Sequence, residues 1–223
     1  MNAFVKSFLA VMVIATAGCA TLNTIAPLVV LPADGRAASS PGNVFPARYR
    51  AVQRAIVTTG GKQFTCDGLL TVSPEGGHHL ALVSSFGVVT DLRIKPDGDL
   101  ELLKITPLFP EDWSRNIVAR DLRCLFVSPP KLQSAGRLAD GRLVLESAAS
   151  GDGTVARYVL APDGAGWQEL ELTRRGKAFY RATVKHHRSF VPGAAEVPDA
   201  FDVVAESYRL EVRVVALTAE ATP

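Results

Sequence analysis

The sequence predicts a mainly β, α+β domain: a curved antiparallel sheet or incomplete β-barrel with one central helix covering it. Three observations predict this. Short apolar and β-branched runs follow one another from Ala51 onward, with Gly-, Pro- or Asp-rich turns between them. Several of these runs alternate apolar and polar residues, the mark of a strand with one dry face. A single stretch, Pro110 to Phe126, abandons the period of two for a spacing of three and four.

The runs come in order. Ala51 to Thr59 turns at Gly60-Gly61 into Lys62 to Val72, and Ser73-Pro74-Glu75-Gly76-Gly77 leads into His78 to Ser84. Val88, Thr90, Leu92 and Ile94 then share one face, with Val89, Asp91, Arg93 and Lys95 on the other. Pro96-Asp97-Gly98-Asp99 is a tight turn, so Leu100 to Ile105 returns as the hairpin partner. In the helix, Trp113, Ile117, Val118, Leu122 and Leu125 recur on one side; Pro110 suits its start, Glu111 and Asp112 favour the positive end of its dipole, and Ser128-Pro129-Pro130 stops it. Behind it come Arg142 to Ser147, Thr154 to Ala161, Trp167 to Thr173, Ala178 to His186 and Tyr208 to Val214. About nine or ten strands are expected, enough for the sheet to curl around whatever covers its apolar face.

Three segments divide the chain: a signal peptide (1–18), a tether (19–45) and one β-rich domain (46–223). Lys6 precedes an uncharged run from Ser7 to Gly18, a secretory pattern too short to span a bilayer. Thr16-Ala17-Gly18-Cys19 puts small residues directly before a cysteine, as in the lipobox of a lipoprotein, although Thr16 stands where that motif usually carries Leu. Cys19 would then become the N-terminus and carry diacylglycerol and an N-acyl chain; the other reading is an ordinary cleaved signal with an incidental cysteine. Ala20 stands where an inner-membrane retention signal would have Asp, which points to the outer membrane and the periplasm. The tether is rich in Ala, Pro, Ser and Gly, apart from Leu28-Val29-Val30-Leu31, which reads as a short strand packing back on the domain.

The 24 Lys and Arg nearly balance 22 Asp and Glu, with no run of one sign, which argues against a nucleic-acid partner. Cys66 and Cys124 read equally as a disulfide in an oxidising compartment or as two small buried thiols. Neither has a second ligand at metal spacing, and no metal is expected. The pairs His78-His79 and His186-His187 read as a solvated turn and a polar strand end. Glu169 and Glu171 fall on one strand face and read as solvated, with Gln168, Leu170 and Leu172 inward. Trp113 and Trp167 read as core filling. The nucleophile elbow, the zinc-protease helix and the phosphate and dinucleotide loops are all missing from the sequence, so no enzyme is expected.

Val52-Gln53 in the first strand, Gly87 after Ser84-Ser85-Phe86, Arg120-Asp121-Leu122 in the helix and the late Tyr208-Arg209-Leu210 carry a resemblance to an uncharacterised bacterial lipoprotein family, domain of unknown function 3261. That family is similar in build to the lipoprotein-localisation factors LolA and LolB, whose incomplete barrel, closed by helices, holds acyl chains. The resemblance implies a cavity for lipid or lipoprotein acyl chains, in a carrier or acceptor held to the outer membrane by its lipid. One helix is fewer than those factors carry, so only a partial cover is expected.

Candidate wall residues lie on the dry faces: Leu70, Leu82, Leu92, Ile94 and Leu102 from strands, Ile117 and Leu122 from the helix, and Tyr208 and Leu210 from the last run. A solid core would use the same residues. That alternative describes an anchored scaffold or assembly subunit, docking an envelope protein on a strand edge or loop.

If Cys19 carries lipid, Cys19→Ala moves the protein from the membrane pellet to the soluble periplasmic fraction on cell fractionation. An unchanged distribution removes the anchor.

Overall fold

The structure is a computed structural model that describes residues 29–30, 48–73, 77–107, 109–126, 132–147, 149–162, 166–188 and 196–219. The signal segment, Cys19, the tether apart from Val29–Val30, and the helix stop at Ser128-Pro129-Pro130 lie outside the described residues.

Among the described residues, thirteen strands form one antiparallel sheet: β1 (Val29–Val30), β2 (Tyr49–Thr59), β3 (Lys62–Ser73), β4 (Gly77–Ser84), β5 (Gly87–Ile94), β6 (Leu100–Ile105), β7 (Leu132–Arg137), β8 (Leu143–Ser147), β9 (Thr154–Leu160), β10 (Trp167–Arg174), β11 (Lys177–Arg188), β12 (Val197–Ala205) and β13 (Arg209–Ala219). Their order is β1-β7-β8-β9-β10-β11-β12-β13-β2-β3-β4-β5-β6. Two meanders, β2 to β6 and β7 to β13, are thus joined by the long β13–β2 pairing. Among the described residues the outer strands β1 and β6 do not pair with each other, so the sheet stays open.

Between β6 and β7 lie α1 (Glu111–Trp113), a π-helical turn (Ser114–Val118) and α2 (Ala119–Phe126). Pro110 stands at the start, Glu111 and Asp112 occupy the first turn, and Arg115 bonds Glu111 one turn back. Val118, Leu122, Leu125 and Phe126 join one apolar cluster with residues of both meanders, from Tyr49 and Leu92 to Leu170 and Val214. Thirteen strands laid flat would measure roughly 60 Å across. Both arms reach one short helix because the sheet curls around it.

Strand alternation selects the inner face: Tyr49, Ala51, Gln53 and Ala55 are buried on β2 while Arg50, Val52 and Arg54 are exposed. Register aligns these positions across the sheet. Ala51, Leu70, Leu80, Leu92 and Leu102 stand directly opposite one another from β2 to β6. On the other arm Trp167, Leu170 and Leu172 of β10 are fully buried beneath α2.

Several expectations are corrected here. The strands number thirteen among the described residues because β7 and β12 join the ten runs read as strands, while Val29–Val30, within the stretch read as a short strand, pairs with β7. Pro198 sits in β12 where the ladder with β11 slips, the kind of site that tolerates a missing N–H. Glu171 is fully buried, opposite Arg157 and Arg181 in the ladders and bonded by the Arg181 guanidinium at 2.8 Å; the neighbouring arginines cover it. Glu169, half-buried, pairs with Arg142 at 2.7 Å. Gln168 falls at a register slip and is only half-buried. Cys66 and Cys124 are free thiols rather than a disulfide: one lies on β3 and the other on α2, each packed against the apolar cluster.

Gly77 opens β4 at φ +79°, and a Cβ there would lie 2.2 Å from the Ile94 carbonyl oxygen. Gly98 has a similar φ of +89° with open space around it. Gly77→Ala should therefore cost about 2–4 kcal/mol in urea unfolding and Gly98→Ala about 1–2 kcal/mol. Equal losses would contradict the close approach.

Candidate functional site

Past the row that runs from Ala51 to Leu102, the interior is hollow. A cavity of about 750 Å³ lies between the helical segment and the turn-bearing ends of β2 to β5, β12 and β13. Register explains its wall, because Phe201, Val212, Ala55 and Cys66 stand opposite one another across β12, β13, β2 and β3. The next inward row, Leu210, Val57 and Phe64, also lines it. Trp113, Ile117 and Leu122 face these strands from the helical segment, with Phe109 edge-on to Trp113 at 5.8 Å. Phe64 and Phe86 stand at the rim, 54% and 89% exposed.

Of the residues read as wall, Leu82, Ile117, Leu122, Tyr208 and Leu210 line this cavity. Leu70, Leu92 and Ile94 are buried in the packed part of the interior, and Leu102 packs against it. These four share the dry face but lie nearer the end of the sheet where side chains meet without a gap. Trp113, read as core filling, is a cavity wall, whereas Trp167 fills the core and donates its indole N–H to the Leu125 carbonyl at 3.3 Å. Val57, Phe64, Phe86, Phe201 and Val212 were not singled out from the sequence. The alternation of β2 and β13 contained the signal for Val57 and Val212, but nothing local to Phe86 in its exposed turn did.

The cavity is mainly apolar; Thr59, Gln63, Thr65, Ser84, Ser85 and Thr106 also line it, and its buried polar side chains are Gln53, Asp121 and Tyr208. Gln53 is 6% exposed, stands opposite Gly68 and Val214, and has no hydrogen-bond partner for its Nε2. An amide N–H buried in this way costs about 1–3 kcal/mol. Asp121 Oδ2 accepts from the Tyr208 hydroxyl at 2.5 Å. The same hydroxyl accepts from Arg120 Nη2 at 2.5 Å, and Arg120 bonds Asp121 at 3.0 Å. The guanidinium carbon lies 4.9 Å from the centre of the Tyr180 ring and 5.7 Å from that of Tyr208. Burial pushes the Asp121 pKa above its ordinary 3.8, although Arg120 and the Tyr208 hydroxyl pull the other way. Burial also raises Tyr208, and it would lower Arg120 were Asp121 not there to hold that guanidinium charged.

Both thiols are poorly nucleophilic. Burial pushes Cys124 up to about 12 and raises Cys66 as well, with Asp67 adding to the second effect. Among the described residues no group of three His, Cys, Asp or Glu side chains could hold a metal ion. His79 bonds Asp91 and His187 bonds the Trp167 carbonyl, on β4 and β11, which are not neighbours.

The raised Asp121 pKa has a sign. Its folded value lies above the unfolded one, so its contribution is full below about pH 3.8 and is lost as pH climbs through the folded value. The unfolding free energy of the native chain minus that of Asp121→Asn should therefore fall between pH 3 and 7. A difference that grows with pH in urea titrations would reverse the assignment.

No protein-family model matches the chain, and no curated protein is similar to it in sequence. Solved structures are similar in fold. A LolA superfamily protein from Nitrosomonas europaea superposes with a TM-score of 0.59 at 9% identity, over 86% of this chain and 96% of its own. A domain assigned to outer membrane lipoprotein sorting, from Vibrio parahaemolyticus, gives 0.53 at 11% identity over 78% and 86%. A DUF1329 family protein from Desulfovibrio piger gives 0.50 at 9% identity over 79% and 87%. At such identities the likeness speaks of architecture alone, and the architecture is LolA-like: an open antiparallel sheet curled around its helical segment.

Proposed function

We propose that this chain binds lipid or lipoprotein acyl chains in its cavity and serves as a carrier or acceptor in envelope lipid traffic, held at the outer membrane by lipid on Cys19. The observation that carries the reading is the open apolar cavity of about 750 Å³, within the range of sites that hold small ligands. An acyl chain entering it gains about 0.8 kcal/mol for each methylene removed from water. The rings of Phe64 and Phe86 form an apolar sill where such a chain would leave a membrane or another protein. Because this attraction is spread along the chain rather than fixed by ions, a bound tail can pass to a similar site without breaking a strong polar contact. The role is binding, and no residue is given a catalytic part. A filled interior would have favoured the anchored scaffold; the hollow favours the binder.

Native mass spectrometry of the full chain carrying Cys19→Ala tests this, since any lipid seen is then held without a covalent bond. Lipid should co-purify, and Val57→Trp with Ile117→Trp should abolish it by filling the cavity while thermal unfolding stays within a few degrees. A chain that arrives bare, and takes up no lipid from vesicles, ends the carrier reading.

A further inference from the structure

The lining carries more chemical information than its greasiness. Among the described residues, Asp121 is the one acidic side chain of the lining, and none of the lining residues is Lys, Arg or His. The guanidinium beside Asp121, that of Arg120, is committed to Asp121 and Tyr208 and lies against the Tyr180 ring. A carboxylate entering the cavity would find no cation and would meet one carboxylate already there. Of the neutral donors in the lining, which include Gln63, Thr59, Thr65, Ser84, Ser85 and Thr106, Gln53 is set apart: it is buried on β2, with an amide nitrogen that no described residue engages. Gly68 directly opposite on β3 has no side chain, and the space over it is bounded by the Gln53 Oε1, Leu80 and Leu82, at 3.5 to 3.6 Å from where a Cβ would stand. A ligand atom reaching Gln53 is thus flanked by Gly68, Leu80 and Leu82.

We propose that Gln53 is a specificity residue whose amide donates to the carbonyl oxygen of an uncharged, ester- or amide-linked acyl chain, and that the cavity rejects free fatty acids in their ionised form. This rests on the reading of the cavity as an acyl-chain site and narrows it to neutral acyl derivatives. The physical reason is an asymmetry. A pure hydrocarbon leaves the buried amide unsatisfied, an ester satisfies it, and an ionised acid adds a second desolvated negative charge with nothing to balance it.

The test is displacement of Nile red from the full chain at pH 8 by three probes of equal length: hexadecane, methyl palmitate and sodium palmitate. Methyl palmitate should act at roughly tenfold lower concentration than either of the others, the size of one hydrogen bond to an otherwise unpaired donor. Gln53→Leu should bring methyl palmitate to the level of hexadecane and leave hexadecane unchanged. The proposal is overturned if native protein treats methyl palmitate and hexadecane alike, if palmitate is as potent as its ester, or if Gln53→Leu keeps the preference. In those three outcomes acyl-chain binding itself survives. If neither the dye nor any probe binds, the acyl-chain reading falls and takes this proposal with it. Should Gln53→Leu fail to fold, the ester-to-alkane ratio of native protein still decides.

Discussion

One constraint governs this molecule: the apolar face of a wide curled sheet has a single short helical segment to cover it. Sixteen residues rising about 1.5 Å each span roughly 24 Å. The last turn is fixed firmly, because the Tyr158 hydroxyl donates to the Cys124 carbonyl at 3.1 Å and the Trp167 indole to Leu125. Carbonyls that a helix end leaves without partners are thereby satisfied by the sheet. Phe126 packs against Phe201 at 5.9 Å, which places the end of α2 beside β12. With that end pinned to β9, β10 and β12, the segment packs on that arm and stands off the turn-bearing ends of β2 to β5, β12 and β13, where the cavity lies.

Polar contacts fix the segment elsewhere. At the π-helical turn the buried Ser114 hydroxyl meets Thr90 at 2.9 Å, while Arg123 reaches the Gly98 carbonyl at 3.0 Å. Arg120, Asp121 and Tyr208 bind the middle to the turn between β12 and β13. A buried ion pair stabilises little on balance, since desolvation offsets most of the attraction, but it has steep geometric demands. Its effect here is to set how far the segment sinks between the two arms, and therefore how large the hollow beside it is. A π-helical turn between two α-helical stretches changes which side chains face the sheet before and after it: Trp113 and Ile117 line the cavity half-buried, while Leu125 and Phe126 line it and are also buried in the apolar cluster.

Much of the architecture could be read from residue order. The alternation from Val88 to Lys95, the turn at Pro96 to Asp99 and the helical spacing from Trp113 to Leu125 each map onto an element within a residue or two. β12 was hidden by Pro198 and by two aspartates that break its pattern, and β7 by Ser134 and Gly136. Glu171 looked solvated because a period of two reports a face, not what neighbouring arginines do above it. The same limit explains the wall. Leu82 and Leu92 are equivalent in any period-two reading, yet one lines the cavity and the other is core, because the difference lies along the strand and depends on a helix fixed from the far arm.

Whether the hollow persists is a question of why it does not collapse. Closing it would need β2 to β5 to move toward the helical segment, and β2 is held on both sides by long ladders, eleven paired positions with β3 and ten with β13. Sliding either ladder by one residue would turn Ala55 and Val57 outward and Arg54 and Ile56 inward, exchanging apolar wall for buried charge. Bending the strands instead would strain the row from Ala51 to Leu102, in which Ala51, Leu70 and Leu92 are already buried. The segment cannot move in either, because Asp121 would leave Tyr208 and Arg120 would lose its balancing charge. The sheet therefore keeps apolar surface exposed inside itself at a standing cost in stability, and a bound hydrocarbon chain would relieve that cost without changing the fold.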